Sequence, residues 1–513
     1  MSRFIDALRR NYLLSYGIAI TFGLVAGIIS ATGKMVLVAM FAGLVLAAVL
    51  MSSRKALLWF VIIGGLVIAG AAQLYLPGSR YLRYLVPLAA IGLIFHGIMD
   101  HISKPASSRS SGSHIILSWA FLFLIIAVVS AVVNWDGPGV AIMGFKGYFQ
   151  MWIFFFAMIL IQWQPEIIRS IPRGLLFIAL LQLPFVLHEY LILVPKRMGI
   201  GGGIVPVDVV SGTFGGTLYG GGANAVLAAF LMTIIACLLG LWKHGVLSRF
   251  NTIVLSLIFL SPLLVNEAKI SALYFPLVFI VLFYRDIVER PLRFLVAGGV
   301  AFGALAVLLT ALTLGQPSGK LHTWSDLVGF TFDRQTASIA GRKGQYSELS
   351  RWTALTFWSR EHVSGNPVHF LIGHGPGASR VQAAGLDLAE TLAEKRYGGL
   401  QIGYTAVSAL LWDMGVIGLF AVLGLFFSAF RAAGRLSSFY RDRDRFLSGL
   451  FDGLRAGISV LTLSLAHKDF FAFHIPYQTL VMLIFAFIVI FERQVGELEA
   501  ESSVANPEQV NSG

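Results

Sequence analysis

Charge is scarce in this chain: Asp, Glu, Lys and Arg make up 12% of its 513 residues, too few to clothe a soluble surface of that size. Apolar residues reach 57%, far more than one water-soluble core needs, so the chain reads as a polytopic membrane protein. Cysteine is nearly absent. The single Cys237 lies inside an apolar run, which excludes a disulfide framework and a thiol metal site and leaves a packing role. A basic segment with interleaved aromatics on a water-facing domain is also missing. The net charge of +12 is scattered between apolar runs and does not point to nucleic acid. The opening MSRFIDALRRNYLLSYGIAI has a basic flank and an apolar stretch, but no small-residue cleavage site follows, so the first span is expected to be retained as an anchor. No tandem repeat is visible.

Crossing a bilayer takes about 17 to 25 apolar residues. The apolar runs supply roughly fourteen such spans, near 12–32, 34–51, 56–76, 82–99, 114–134, 144–163, 173–194, 222–242, 250–266, 269–285, 292–314, 404–430, 446–467 and 473–491. With the N-terminus in the cytoplasm, the inner loops are 52–55, 100–113, 164–173, 243–249, 285–293 and 431–445. These hold most of the short-loop Lys and Arg, as the positive-inside rule asks. The expected fold is all-α and polytopic, with about 14 transmembrane helices: eleven over 1–314, one long, partly helical outer loop over 315–403, and three more over 404–491. A polar cytoplasmic tail over 492–513 is expected to be disordered.

Two outer segments are large. The glycine density of 195–221 implies irregular backbone, buried in protein or lining a wet cavity. In the long loop no glycine or proline interrupts QYSELSRWTALTFWSREH, so a helix is expected from about 344 to 362. Its spacing puts Arg351, Leu355, Trp358 and His362 on one face. Arg351 and His362 then lie about 16 Å apart, too far to hold one phosphate together. The turn Gly365-Asn366-Pro367 stops this helix. A second is expected to start at Asp387 as N-cap, with Glu390 completing a capping box, and to end at Gly398-Gly399 with Lys395 and Arg396 beside its negative end.

Basic residues on the outer side run against the usual bias: Arg80, Arg83, Lys146, Lys196, Arg197, Lys269, Arg342, Lys343, Arg351, Arg380 and Lys468. Singly, each reads as solvated. As a set, an anionic lipid headgroup or diphosphate is the better account, because guanidinium forks bind phosphate bidentately. Glu267 and Lys269 share a tight outer turn and read either as an ion pair or as substrate contacts. His188-Glu189 reads as structural, and His467, Lys468 and Asp469 form a last outer turn that could reach the same cavity. The stretch FLIGHGPGASR, 370–380, has the glycines of a phosphate cradle but lacks the lysine of a nucleotide-binding loop and lies on the outer side, so it is not an ATP site. Its glycines either make only a tight turn onto the bundle or lower His374 and Arg380 to the mouth of a membrane cavity. No metal-ligand spacing is present in the loop; no cofactor and no metal is expected, and any substrate there must arrive activated.

Three stretches in order, Gly365-Asn366-Pro367, Leu371-Ile372-Gly373-His374-Gly375-Pro376-Gly377 and Trp412-Asp413-Met414-Gly415-Val416-Ile417-Gly418-Leu419, resemble the O-antigen ligase and O-antigen polymerase superfamily. Upstream, Gly212-Thr213-Phe214 followed by Gly222-Ala223-Asn224-Ala225 resembles the family's "G-t-f…p-N" segment. The resemblance covers about 205–425, with degenerate motifs. Family members often carry an arginine just before "G-t-f", where this chain has Val210-Ser211. The number of spans and the Asn266-Glu267-Ala268-Lys269 stretch look more like polymerases of surface polysaccharide or exopolysaccharide than like ligases.

The resemblance implies glycosyl transfer on the outer face of the bacterial cytoplasmic membrane, from a glycan on a polyprenyl diphosphate, without metal or nucleotide. It also implies a flippase and a chain-length regulator as partners beside the lipid bilayer. Arginines would neutralise the departing diphosphate, as a metal does elsewhere, and a histidine or glutamate would take the acceptor proton. Arg342, Arg351 and Arg380, with Lys269 and Arg197, are the diphosphate candidates, His374 or His362 the base, and Glu267 and Glu348 supporting carboxylates. Alternatives are ligase-type transfer to a lipid or protein acceptor, a lipid-linked oligosaccharide flippase or transporter, and a non-catalytic scaffold of an export complex. Related halves would favour a transporter; the single asymmetric loop favours an enzyme.

Overall fold

The structure, a computed structural model, describes residues 53–76, 79–102, 114–200, 206–218, 223–266, 270–292, 351–381 and 390–505, with the isolated positions 299, 303 and 349. Every regular element among them is a helix. In chain order these are α1 (Arg54–Tyr75), α2 (Leu82–Ile102), α3 (Ile115–Val133), α4 (Pro138–Phe149), α5 (Trp152–Leu160), α6 (Pro165–Met198), α7 (Asn224–Lys243), α8 (Arg249–Val265) and α9 (Ser271–Glu289). They continue as α10 (Arg351–His362), α11 (Pro367–Ile372), α12 (Leu392–Lys395), α13 (Ala406–Tyr440), α14 (Arg445–Ser464), α15 (Phe470–Phe473) and α16 (Ile475–Ala505). Among the described residues nine helices are long and apolar enough to cross a membrane, ten if the bent pair α4 and α5 is one span. The architecture is that of a helical membrane protein.

Local chemistry sets the helix starts. Ser53 accepts from the Ala56 amide, Ser248 from Asn251, and Asp444 from Phe446 and Leu447, each satisfying donors that no helical carbonyl can reach. The tightest crossing joins α7 to α14, where Gly449, Gly453 and Gly457 present a small-residue stripe. A Cβ on Gly453 would lie 2.4 Å from the Cys237 Cα, and one on Gly240 would lie 2.3 Å from the Gly449 carbonyl oxygen. Such backbone approach is how apolar helices gain packing energy when lipid offers no hydrophobic driving force. The membrane part of α16 is almost wholly buried at the centre, while α2 turns Leu88, Ile91 and Phe95 outward, as a lipid-facing helix does.

The helices alternate in direction, so the ends of α1, α3, α6, α8 and α14 share one end of the bundle with the starts of α2, α7, α9, α13 and α16. Asn224 and Asn266 exchange amide bonds there, and the Ala406 amide donates to Lys468. This is the loop end, because α10, α11 and α12 pack on it. The opposite end is tied by Arg54–Asp100 at 2.6 Å, Arg169–Asp444 at 3.1 Å and Lys243–Asp452 at 2.9 Å.

Several expectations need correction. The span expected over 144–163 is two helices meeting at 49°; Lys146 and Gln150 interrupt its apolar character, and the break falls at Gln150-Met151. The second loop helix starts from Thr391, not Asp387: Thr391 and Glu394 form the capping box, and the helix ends at Lys395, before the glycines. The tail is helical through Ala505 because Glu, Gln, Ala and Leu after residue 491 continue α16. The expected spans at 12–32 and 34–51, and nearly all of 292–314, lie outside the described residues.

Candidate functional site

The loop after α11 is seated on the kinked start of α13. Gly415 breaks that helix at φ 65°, and Gly373 stands opposite at φ 72°. A Cβ on either would strike the other's strand of backbone at 2.4 Å, so only glycine fits at both. The His374 and Gly375 amides donate to the Trp412 and Asp413 carbonyls at 2.8 and 2.9 Å. The fully buried Asp413 carboxylate accepts from the Gly377 amide at 2.9 Å, the Ser379 amide at 2.7 Å and the Tyr148 hydroxyl at 3.0 Å. Ser130 and Asn134 of the α3 end hold the same loop through the Asp413 and Gly373 carbonyls.

A second irregular segment is held in the same manner. A π-turn in α6 carries Glu189, whose buried carboxylate accepts from the Ser211 and Gly212 amides at 2.9 and 2.7 Å. Gln182 brackets Thr213 with two 2.8 Å bonds. His474 faces the Phe214 carbonyl at 3.0 Å, so this segment meets the 467–474 turn. The irregular backbone over 209–216 is thus buried in protein, as such backbone requires in a membrane protein.

Between these two clamps the loop end gathers cations over aromatic rings. Arg83 donates to the Tyr84 hydroxyl at 3.0 Å, and Lys146 stands 4.0 Å from the centre of the same ring. The Arg380 guanidinium lies 4.0 Å from the Phe473 ring centre. Burial disfavours the Arg380 charge and Arg83 adds to this, while Asp469 offsets it. Arg351 donates to the His467 carbonyl at 2.9 Å and lies beside its ring, 3.3 Å from Nε2, next to Lys468. Among the described residues Arg83, Lys146 and Arg380 form no ion pair with a carboxylate. Cations over ring faces keep their charge available to an anion.

The other end of α10 carries a histidine group. His362 Nδ1 lies 2.9 Å from the Trp358 carbonyl, which only accepts, so that nitrogen holds the proton. His362 Nε2 then accepts from His374 Nε2–H at 2.9 Å, leaving His374 Nδ1 as the pair's proton acceptor. The His369 ring lies 4.1 Å from that of His374. Burial, then His369, His362 and Arg396, hold His374 down to about 3; burial also lowers His362 and His369. Among the described residues no three His, Cys, Asp or Glu side chains are grouped to hold a metal ion.

The sequence candidates therefore divide. His374 and His362 come together at one end of α10, and Arg351 lies at the other beside the turn that Arg380 also approaches. Arg197 is buried near Asp208 in the Glu189 region. Arg342, Lys269, Glu267 and Glu348 lie outside the described residues. Sequence reasoning quoted Asp413 within the resemblance but gave it no role, left Tyr148 out, and noted Arg83, Lys146 and Lys468 without ranking them. A charged residue opening an apolar span was the one signal for Asp413. No protein-family model matches the chain, and no curated protein matches it significantly.

Proposed function

We propose that this chain is a glycosyltransferase of the bacterial inner membrane, a polysaccharide polymerase moving a polyprenyl-diphosphate-linked glycan onto a second lipid-linked unit. In this reading about fourteen spans, with roughly 30 Å of hydrocarbon to cross, place both termini in the cytoplasm and the loop end outside. The observation that carries the proposal is the convergence of cations on one end of the bundle: Arg83 and Lys146 over Tyr84, Arg380 over Phe473, and Arg351 and Lys468 beside His467. A lipid diphosphate needs this combination of charge and apolar surface at the membrane boundary. The cations would stabilise charge as it develops on the leaving diphosphate. His374 Nδ1 is the ring nitrogen left to accept the acceptor's proton.

The test uses purified protein in detergent with a synthetic polyprenyl-diphosphate oligosaccharide. Chain elongation without added metal or nucleotide, lost in Arg380→Ala and kept in Arg173→Ala at the opposite end, supports the reading. Sugar moved to a different lipid or to protein indicates a ligase. In proteoliposomes, transbilayer movement of that substrate with no turnover sinks the enzyme.

A further inference from the structure

We propose that His362 is a positioning residue for His374, fixing which ring nitrogen His374 offers to the acceptor hydroxyl; the role rests on the glycosyl-transfer reading above. The contacts of His362 leave its ring little freedom to turn. It is buried, stacked on the Trp358 ring at 5.1 Å between centres, and meets the Trp412 ring edge-on at 4.6 Å. Its Nδ1 proton is held by the Trp358 carbonyl, and burial disfavours a second proton, so Nε2 is an acceptor. His374 is anchored at its backbone, where its amide donates to the Trp412 carbonyl at 2.8 Å, and at its ring, where Nε2–H donates to His362 at 2.9 Å. Among the described residues nothing hydrogen-bonds His374 Nδ1. A histidine without such a partner can carry its proton on either nitrogen and can flip about its second side-chain torsion. The bond from His362 selects one tautomer and one ring orientation, with Nδ1 bare.

The reaction balances with His362 unchanged. The acceptor hydroxyl oxygen bonds to the anomeric carbon, and the bond from that carbon to the diphosphate breaks with its electron pair on the diphosphate oxygen. The acceptor's proton moves to His374 Nδ1. His374 then carries both ring protons and one positive charge, while its Nε2–H stays bonded to His362. The proton passes to water after the product leaves. His362 neither gains nor loses a proton, and its part is that of the third group that orients a base in its working tautomer.

Two substitutions separate positioning from packing. His362→Phe keeps a ring against Trp358 and Trp412 but removes the acceptor, whereas His362→Gln supplies a side-chain carbonyl as acceptor without the ring. With the polyprenyl-diphosphate oligosaccharide as substrate, kcat of His362→Phe should fall roughly 10- to 100-fold, part of what a positioned base contributes, with donor KM changing less than about threefold. His362→Gln should recover most of that loss. Ring nitrogen NMR shifts of His374, assigned by their absence in His374→Gln, should show Nε2 protonated and Nδ1 bare in the wild type, and exchange between the two tautomers in His362→Phe. An unchanged kcat or a single unchanged tautomer in His362→Phe, a raised KM alone, or a His362→Gln variant as slow as His362→Phe overturns the role of His362 while the transferase reading stands. No turnover by the wild type overturns both.

Discussion

Replacing Asp413 by alanine removes the acceptor from two backbone amides and a phenol at once. All three lie in buried protein, where each unsatisfied donor costs about 1–3 kcal/mol. The expected result is a loss of about 3 kcal/mol or more, read as a lower thermal midpoint in detergent, together with protease cleavage within 373–380. An unchanged midpoint would show that the loop is not held this way. The histidine group gives a pH signature. His374 is held down to about 3 against an ordinary 6.5, so between those values the unfolded chain binds the extra proton. Its contribution to stability is complete above pH 6.5 and is lost as pH falls toward 3. His374→Gln should flatten the fall in thermal midpoint over that range; a parallel fall in both proteins excludes the assignment. The sequence offered His374 and Arg380 because three glycines and a proline mark a special loop. It could not offer Tyr148 or Ser130, which close on that loop across hundreds of intervening residues. Nothing in local spacing records such a contact.

At the scale of the element, one chemical change has opposite signs at two places. Gly453→Ala in α14 puts a methyl 2.4 Å from the α7 backbone, and separating two packed helices costs about 1–3 kcal/mol. Gly496→Ala, in the polar extension of α16, meets nothing within 4 Å and should stabilise by about 0.5–1 kcal/mol. Thermal midpoints of the two variants should move in opposite directions; a shared direction would disprove the close crossing. Span existence was legible wherever long apolar runs stood clear of polar residues, as in α7. Breaks within spans were less so: the bend between α4 and α5 comes with no proline, and nothing in the spacing of His188 and Glu189 marks the π-turn that presents Glu189. The caps failed for a different reason. Two acidic residues three apart, Asp387 and Glu390, mimic the capping box that Thr391 and Glu394 form.

Across the whole molecule each end pairs some of its cations with carboxylates and lays others against aromatic rings. At the opposite end Arg54, Arg169, Lys243 and Arg435 each meet a carboxylate, while Arg431 and Arg443 lie over Phe427 and Phe439. At the loop end Lys395 and Arg396 pair with Asp136 and Glu361, while Arg83, Lys146 and Arg380 lie against Tyr84 and Phe473. Net positive charge alone could not distinguish these arrangements, since pairing depends on which helices meet. The cluster of Arg83, Lys146 and Arg380 leads to a measurement that needs no turnover. An anion that binds only the folded protein stabilises it by about 2.7 kcal/mol at a hundredfold excess over Kd. Inorganic diphosphate should raise the thermal midpoint of the wild type, and Arg380→Ala and Lys146→Ala should each reduce that rise. Arg173→Ala, on the exposed face of α6 near the opposite end, should leave it intact. Equal stabilisation in all four proteins would mean that the anion binds diffusely, and the loop-end cluster would lose its claim to be a diphosphate site.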